Sequence, residues 1–159
     1  MKKPLILGVL VAIILFMGST VMAVDDTIPG EYSGRAEYNR AGTQRGYTTV
    51  DMTIFKKEGD AYLGKMTLEM INKRGKVKGK KHIVFKVKPD NGKLVLYKKS
   101  GSEFMSLVIK NRSLEGTYHL VKGYMGEIEF KKVADNQEQT PEIIREKFAS
   151  SEEEGEDEE

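Results

Sequence analysis

The chain has 159 residues, a formal net charge of +2, and neither cysteine nor tryptophan. Without cysteine there can be no disulfide-stapled scaffold and no thiol chemistry, so a hydrophobic core must hold the fold together. The charge is divided unevenly, because residues 25–134 hold 22 Lys or Arg against 13 Asp or Glu, whereas residues 135–159 hold 2 against 11. The composition therefore predicts a basic domain followed by an acidic tail.

The amino-terminal segment has the pattern of a secretory signal peptide, which we assign to residues 1–23. A positively charged start is followed by an apolar run over residues 5–18, and small residues precede a cut predicted after Ala23. The alternative is an uncleaved anchor, since residues 5–24 approach the roughly 20 apolar residues that span a bilayer. In either case we expect the remaining chain to be exported to the periplasm, the cell envelope or the medium. Contact with a membrane is expected only through this segment, if it stays uncleaved.

Residues 24–134 are predicted to form one β domain, because apolar and polar side chains alternate there with the period of two that half-buried strands show. The clearest case is residues 62–70, where apolar side chains or glycine occupy every second position. Polar turns such as 58–60 and 89–92 separate such segments. Strands are predicted over 30–39, 46–57, 62–73, 82–88, 94–98, 103–110, 114–121 and 124–133. Residues 74–81 fit either a long basic loop or the first half of the fourth strand.

The predicted fold is all-β, an antiparallel up-and-down meander of about eight strands closed into a small barrel. Closure removes the two open edges that a flat meander would expose. Glycines at equivalent positions of four strands, Gly34, Gly64, Gly116 and Gly126, favour tight curvature or room for a neighbouring tyrosine. A β-sandwich is the alternative.

Residues 135–150 are predicted to form a linker and a short C-terminal helix. Thr140 would cap the helix, Pro141 would take its first position, and Ile144 and Phe148 would share one face. Because a helix of about two turns is marginal alone, it should either dock on the barrel or remain only partly formed. Residues 151–159, with seven acids in nine positions, are predicted to be a disordered acidic tail.

Three short motifs resemble those of the calycin-like, broadly lipocalin-like, β-barrels of secreted bacterial proteins. They are Leu-Glu-Gly-Thr-Tyr at 114–118, Gly-Tyr-Met-Gly-Glu-Ile-Glu-Phe at 123–130 and Gly-Glu-Tyr at 30–32. The likeness spans residues 30–133. A lipocalin normally carries Gly-x-Trp in its first strand, whereas this chain has no tryptophan. The resemblance implies a barrel with an apolar interior and no particular ligand.

The side chains predicted to point inward could line a cavity for a small apolar ligand, since small barrels hold either side chains or one small molecule. Buried tyrosine hydroxyls would need partners, and methionines would make a cavity adaptable. The alternative is a solid packed core in a structural or protein-interaction domain without a ligand. The candidate ligand-binding residues are Tyr32, Tyr38, Met52, Tyr62, Met66, Met70, Phe85, Tyr118, Tyr124 and Phe130.

A second candidate site is the basic stretch at residues 73–88, which contains eight Lys or Arg. On a strand, alternate lysines would form a stripe suited to an anionic envelope polymer or an anionic lipid surface. That face lacks aromatic side chains for base stacking, which argues against nucleic acid. The alternative is a strand edge protected by lysines. The candidate anion-binding residues are Lys76, Lys78, Lys80, Lys86 and Lys88. We expect the acidic tail to compete with an anionic partner for them.

No catalytic site, metal site or cofactor is predicted. Nucleophile and zinc sites rely largely on cysteine and histidine, and the two histidines, His82 and His119, fall on outward faces. The carboxylates of Glu127 and Glu129 also alternate outward, and no glycine-rich phosphate loop is present. The residues therefore predict a binding protein without enzymatic activity.

Overall fold

The computed structural model describes residues 28–39, 45–121 and 123–149. The strands are β1 (Gly30–Tyr38), β2 (Gly46–Ile54), β3 (Tyr62–Ile71), β4 (Val77–Asp90), β5 (Lys93–Tyr97), β6 (Glu103–Lys110), β7 (Ser113–Val121) and β8 (Tyr124–Asp135), followed by helix α1 (Glu142–Ala149). Each strand pairs antiparallel with the next, and β1 also pairs with β8, so the sheet closes into a barrel. The predicted eight-stranded meander, its closure and the C-terminal helix are confirmed.

The connection between β3 and β4 settles the two alternatives for residues 74–81. The side-chain carbonyl of Asn72 accepts hydrogen bonds from the N–H groups of Arg74, at 2.8 Å, and Lys76, at 3.0 Å. This turn ends β3 at Ile71, earlier than the predicted end at 73. Strand β4 then begins at Val77, so most of the basic stretch belongs to the strand.

Two other boundaries also differ from the prediction. β2 ends at Ile54 rather than at 57, because the N–H of Lys56 donates to the carbonyl of Glu138, at 3.0 Å, instead of continuing the sheet. β8 extends to Asp135, past the predicted end at 133, since Asp135 pairs with Gly30 at the start of β1. The barrel therefore runs one residue beyond the predicted domain boundary at 134. The predicted signal peptide and the acidic tail at 151–159 lie outside the described residues.

One cluster of buried side chains occupies the barrel interior, and all eight strands contribute to it. Across the strands, inward residues meet in register, as Met52 of β2 and Ile83 of β4 do on either side of Met66 in β3. Met66 itself is only 1% exposed. The period-two alternation thus places the apolar face inside the barrel.

The glycines within the strands admit close neighbours. A Cβ at Gly116 would lie 1.9 Å from the carbonyl oxygen of Ser106, and one at Gly34 would lie 1.8 Å from a carbonyl oxygen of β8. At Gly64 the space is taken by the ring of Phe85, 2.5 Å from such a Cβ. These positions therefore make room for neighbouring backbone and a phenylalanine ring, and not for a neighbouring tyrosine, which was one of the two predicted reasons.

The alternation predicts Glu37 on the outward face of β1, yet this residue is only 3% exposed. Its carboxylate accepts hydrogen bonds from the guanidinium of Arg45 and from the N–H of Glu127, the latter at 3.0 Å. The hydrogen bond from Arg45, followed by the one from Glu127, lowers the pKa of Glu37. Gly126 has φ of +125°, and a Cβ there would lie 1.9 Å from the carboxylate. The carboxylate therefore occupies space that any other residue at 126 would need.

Helix α1 docks on the outer surface of the barrel. Ile144 and Phe148 are buried together with Phe55, and Leu63 and Val84 border this cluster. The predicted apolar face of the helix is therefore confirmed, and of the two alternatives the helix adopts the docked one.

The start of α1 is held by Glu58, not by a threonine cap. The Glu58 carboxylate accepts hydrogen bonds from the Arg145 guanidinium, at 2.8 Å, and from the N–H of Thr140, at 3.3 Å. The hydroxyl of Thr140 is buried and has no hydrogen-bond partner among the residues that the structure describes. The predicted capping role of Thr140 is therefore wrong, because its backbone rather than its side chain makes the polar contact.

Candidate anion-binding site

The residues predicted to line a ligand cavity lie in the barrel core. Tyr38 and Met70 are partly buried at its margin, and the other eight are fully within it. The buried members are Tyr32, Met52, Tyr62, Met66, Phe85, Tyr118, Tyr124 and Phe130. These side chains pack against one another, so they also fit the alternative of a solid core.

Hydroxyl groups of three core tyrosines bond to the barrel's own backbone. The Tyr32 hydroxyl donates to the carbonyl of Ile28 at 2.6 Å, and the Tyr118 hydroxyl donates to the carbonyl of Glu37. The Tyr124 hydroxyl contacts the backbone of β3. Burial, with a smaller effect of Asp135, raises the pKa of Tyr32 to about 12, and burial also raises the pKa of Tyr118. These hydroxyls thus need no ligand to satisfy them.

A small pocket of about 20 Å³ lies where the core meets one end of the barrel. Its lining includes the core residues Ile28, Tyr32, Leu94 and Leu114. A volume of this size accommodates about one water molecule. It is too small for an apolar ligand.

The predicted lysine stripe is split by the structure into separate parts. Lys76 lies in the turn before β4, and Lys78 is a bulge residue, since Val77 pairs with Ile71 while Gly79 pairs with Met70. The bulge breaks the alternation, so the prediction of one stripe from Lys76 to Lys88 is wrong at its first two members.

The remaining lysines of the stripe, Lys80, Lys86 and Lys88, alternate on the outer face of β4. Lys80 lies opposite Glu69 of β3. Val84, between the lysines, borders the cluster under α1. Lys86 and Lys88 are thereby separated from the basic residues at the start of the strand.

Lys86 and Lys88 belong to a groove of about 450 Å³ on the outer surface, between β4, the β5–β6 turn and the end of α1. We call this the lysine groove. Its lining consists of Lys86, Lys88, Tyr97, Lys98, Lys99, Ser100, Gly101 and Phe148. Among these described residues four are cationic and none is acidic.

Strand register and a tight turn bring the four lysines together. Lys86 lies opposite Tyr97, so the chain that leaves β5 passes directly beside β4. The N–H of Gly101 donates to the carbonyl of Lys98 at 2.9 Å, and φ of Gly101 is +78°, which favours glycine. This turn holds Lys98 and Lys99 at the end of β5.

Lys88 and Lys98 each make a polar contact that does not neutralise their charge. The ammonium of Lys98 donates to the carbonyl of Leu120 at 3.2 Å. The ammonium of Lys88 lies 3.7 Å from the carboxylate of Asp60, and both side chains are well exposed to water. Exposed pairs of this kind are weak and are screened by salt. These contacts therefore leave the charges of Lys88 and Lys98 largely uncompensated.

Sequence reasoning missed Lys98, Lys99 and Phe148 as members of the site. The adjacent lysines before Ser100-Gly101 were a usable signal, because a turn at that point concentrates both charges at the end of a strand. The part played by Phe148 depends on how α1 docks, for which the sequence has no local signal.

Other chemistry is not assembled in the part of the chain that the structure describes. His82 and His119 are exposed, and His82 shares a hydrogen bond of 3.0 Å with the Thr67 hydroxyl. No group of three or more His, Cys, Asp or Glu side chains within residues 28–39, 45–121 and 123–149 is arranged to hold a metal ion. Over the same ranges, no helix has the length and apolar character needed to cross a membrane.

No protein-family model matches the chain, and neither the curated proteins nor the solved structures contain a significant match.

Proposed function

We propose that this protein is an exported, non-enzymatic binding module with a lipocalin-like barrel, and that it binds a phosphate-bearing anionic polymer of the cell envelope in the lysine groove. The barrel serves as a rigid support, and binding takes place on its outer surface. The observation that carries the proposal is the convergence of Lys86, Lys88, Lys98 and Lys99 in one groove without an acidic lining residue.

The packing of the interior supports an external site. The tyrosine hydroxyls of Tyr32 and Tyr118 are satisfied by backbone carbonyls, and the core cluster contains side chains from every strand. An apolar ligand of ordinary size would need a pocket of roughly 300 Å³ or more. The pocket of about 20 Å³ beside Tyr32 falls far short of that.

The chemistry of the lysine groove favours phosphate carried on a chain. Lysine binds phosphate as a point charge and does not impose the paired geometry that arginine does, so repeated charges matter more than the shape of one group. Phe148 lines one side of the groove, and the turn at Lys98–Gly101 lines another. A narrow chain can enter such a concave site, whereas a flat bilayer surface would meet its rims first.

Inorganic polyphosphate is a suitable probe for this proposal. Binding of a fluorescent polyphosphate to the chain from residue 24 onward is measured by anisotropy, over salt concentrations from about 50 to 200 mM. The double variant Lys88→Gln/Lys99→Gln should weaken binding about tenfold and reduce the salt slope by roughly 1 to 2.

The matched control is Lys78→Gln/Lys80→Gln, which removes the same charge from the other end of β4. It should change the affinity for polyphosphate by less than about threefold, because it weakens only the long-range electrostatic attraction between the protein and the polymer. Equal loss in the two variants would overturn the groove as the site. Binding to anionic lipid vesicles but not to polyphosphate would overturn the polymer, and binding to neither probe would favour a protein-interaction domain with a solid core.

A further inference from the structure

We propose that the first half of β4 is a docking edge for an extended acidic peptide of another protein, which adds to the sheet as an antiparallel strand. We call residues 78–84 of β4 the open edge. This surface is distinct from the lysine groove, and the inference does not rest on the proposed function.

The open edge exists because β4 is much longer than its neighbour β5. Strand β4 has 14 residues, whereas β5 has 5. Strand β3 pairs with residues 77–87 of β4, but β5 pairs only with residues 86–90. Among the described residues, β4 before residue 86 therefore has a paired strand on one side alone.

Strand register shows which backbone groups point into the open edge. The N–H of Phe55 donates to the carbonyl of Leu63 at 3.0 Å, so the odd-numbered residues of β3 direct their backbone groups toward β2. The even-numbered residues of β3 bond instead to the odd-numbered residues of β4 that lie opposite them. Lys80, His82 and Val84 therefore direct their N–H and carbonyl groups away from β3.

The adjoining end of β3 differs, because side chains satisfy its free backbone groups. The Thr48 hydroxyl donates to the carbonyl of Glu69 at 3.0 Å, and the Tyr124 hydroxyl bonds to both backbone groups of Ile71. In the part of the chain that the structure describes, no comparable hydrogen bond reaches the open edge. Its alternating donors and acceptors suit another strand, whereas a phosphate polymer has no donors for the carbonyls.

Charge decides which strand the open edge accepts. Lys78, Lys80 and Lys81 lie along it, and the first two are exposed. Glu69 lies opposite Lys80, but Lys81 lies opposite Leu68, so most of this charge has no carboxylate across the strand pair. A second copy of this chain would bring these lysines together, and like charges on paired strands are destabilising. An acidic strand instead places carboxylates among the lysines.

The inward side of the open edge favours apolar residues at the alternate positions of the peptide. Ile83 faces inward but is only partly buried, at the margin of the core. On the same side, a Cβ at Gly79 would meet no atom within 4 Å. Lys81 lies between them and can extend its ammonium to water while its stem stays against apolar surface. The peptide that fits therefore alternates acidic and apolar side chains.

The probe is a fluorescent peptide of about eight residues that alternates Glu and Val. Its binding to the chain from residue 24 onward is measured by anisotropy. In an antiparallel pair, its Glu residues lie opposite Lys80, His82 and Val84 and donate their own N–H groups to the open edge. N-methylation of the Glu amides should weaken binding about tenfold or more, whereas N-methylation of the Val amides should change it less than about threefold. Equal effects, or no binding of the unmodified peptide, would overturn the inference.

Two variants at one position test the protein side of the pairing. His82→Pro deletes one N–H of the open edge, where proline is tolerated because that group does not bond to β3. His82→Val keeps the N–H but removes the imidazole that bonds to the Thr67 hydroxyl. The proline variant should bind the peptide about tenfold more weakly than the valine variant. Equal affinities in two folded variants would overturn the pairing, and if the proline variant unfolds, the methylated peptides decide.

Charge variants separate this site from the lysine groove. At about 50 mM salt, Lys78→Gln/Lys80→Gln should weaken binding of the peptide about tenfold. Lys88→Gln/Lys99→Gln should change it by less than about threefold, and the reverse result would overturn the open edge as the peptide site. A dimer that His82→Pro abolishes would assign the edge to a second copy and overturn the acidic peptide. Failure of polyphosphate binding would overturn the proposed function alone.

Discussion

The hydroxyl of Tyr124 bonds twice to the backbone of Ile71. It accepts a hydrogen bond from the Ile71 N–H at 2.7 Å and donates one to the Ile71 carbonyl at 3.2 Å. Tyr124 begins β8 and Ile71 ends β3, and these strands are not neighbours in the sheet. One side chain thus joins two distant parts of the barrel, next to the bulge where β4 begins.

Replacing Tyr124 by Phe removes both hydrogen bonds and leaves the ring in place. Each buried hydrogen bond contributes about 0.5 to 1.5 kcal/mol, so the free energy of unfolding should fall by about 1 to 3 kcal/mol. Chemical denaturation measures this. The control is Tyr47→Phe, because Tyr47 is 49% exposed and its hydroxyl makes a long contact of 3.3 Å with Glu127. A loss of unfolding free energy as large as that of Tyr124→Phe would contradict the prediction.

Truncation of Met66 distinguishes a packed interior from a cavity. Met66 is 1% exposed within the core cluster, so Met66→Ala should reduce the free energy of unfolding by about 2 to 5 kcal/mol through lost burial and the cavity left behind. The matched control is Met125→Ala, because Met125 is 42% exposed and should cost less than about 0.5 kcal/mol. If Met66→Ala reduces the free energy of unfolding by less than about 1 kcal/mol, the side chain of Met66 borders a cavity and is not tightly packed.

Substitution of Gly116 tests the close approach of β6 and β7. An alanine Cβ would lie 1.9 Å from the carbonyl oxygen of Ser106, which is backbone and cannot rotate away. Gly116→Ala should therefore destabilise the barrel by about 1 to 3 kcal/mol or more. Gly79 is the control, since a Cβ there meets no atom within 4 Å. Gly79→Ala should be neutral or should stabilise by about 0.4 to 1 kcal/mol, and equal effects at both positions would contradict the steric explanation.

Strand alternation sufficed to predict the architecture of the barrel. Periodicity is a local property, and eight alternating segments with short turns leave few topologies other than a closed meander. The turn at Asn72 was missed, although Asn72 and Gly75 are both residues that such turns favour. Basic residues within that turn and after it obscured its position, because they suit a loop and an exposed strand equally.

Features that depend on contacts across the chain were less predictable. Alternation assigns Glu37 to the outer face, but a bond to the N–H of Glu127, ninety residues away, buries its carboxylate. The lysine groove likewise combines β4, the turn after β5 and Phe148, which are joined only by strand register and helix docking. Such combinations are set by tertiary packing, so a pattern within one segment cannot predict them.

The buried carboxylate of Glu37 should make the stability of the barrel depend on pH. Hydrogen bonds from Arg45 and from the N–H of Glu127 hold the pKa of Glu37 below its usual 4.5. A carboxyl group whose pKa is lower in the folded state stabilises that state above the unfolded pKa. This contribution is lost as the pH falls from about 4.5 through the lower pKa of the folded protein.

Glu37→Gln should therefore lower the free energy of unfolding at pH 7, and its deficit relative to the unaltered protein should shrink as the pH falls below about 4.5. Glutamine keeps the shape beside Gly126 and an acceptor for the N–H of Glu127, so the variant isolates the charge. Denaturant titrations at pH 7 and at about pH 3 measure the difference in unfolding free energy between the variant and the unaltered protein, with the carboxyl group of Glu37 ionised and increasingly protonated, respectively. Arg45→Gln, which removes the largest cause of the lowered pKa, should likewise reduce the pH dependence. A deficit for Glu37→Gln that is the same at both pH values would show that the carboxylate contributes through packing rather than through its charge.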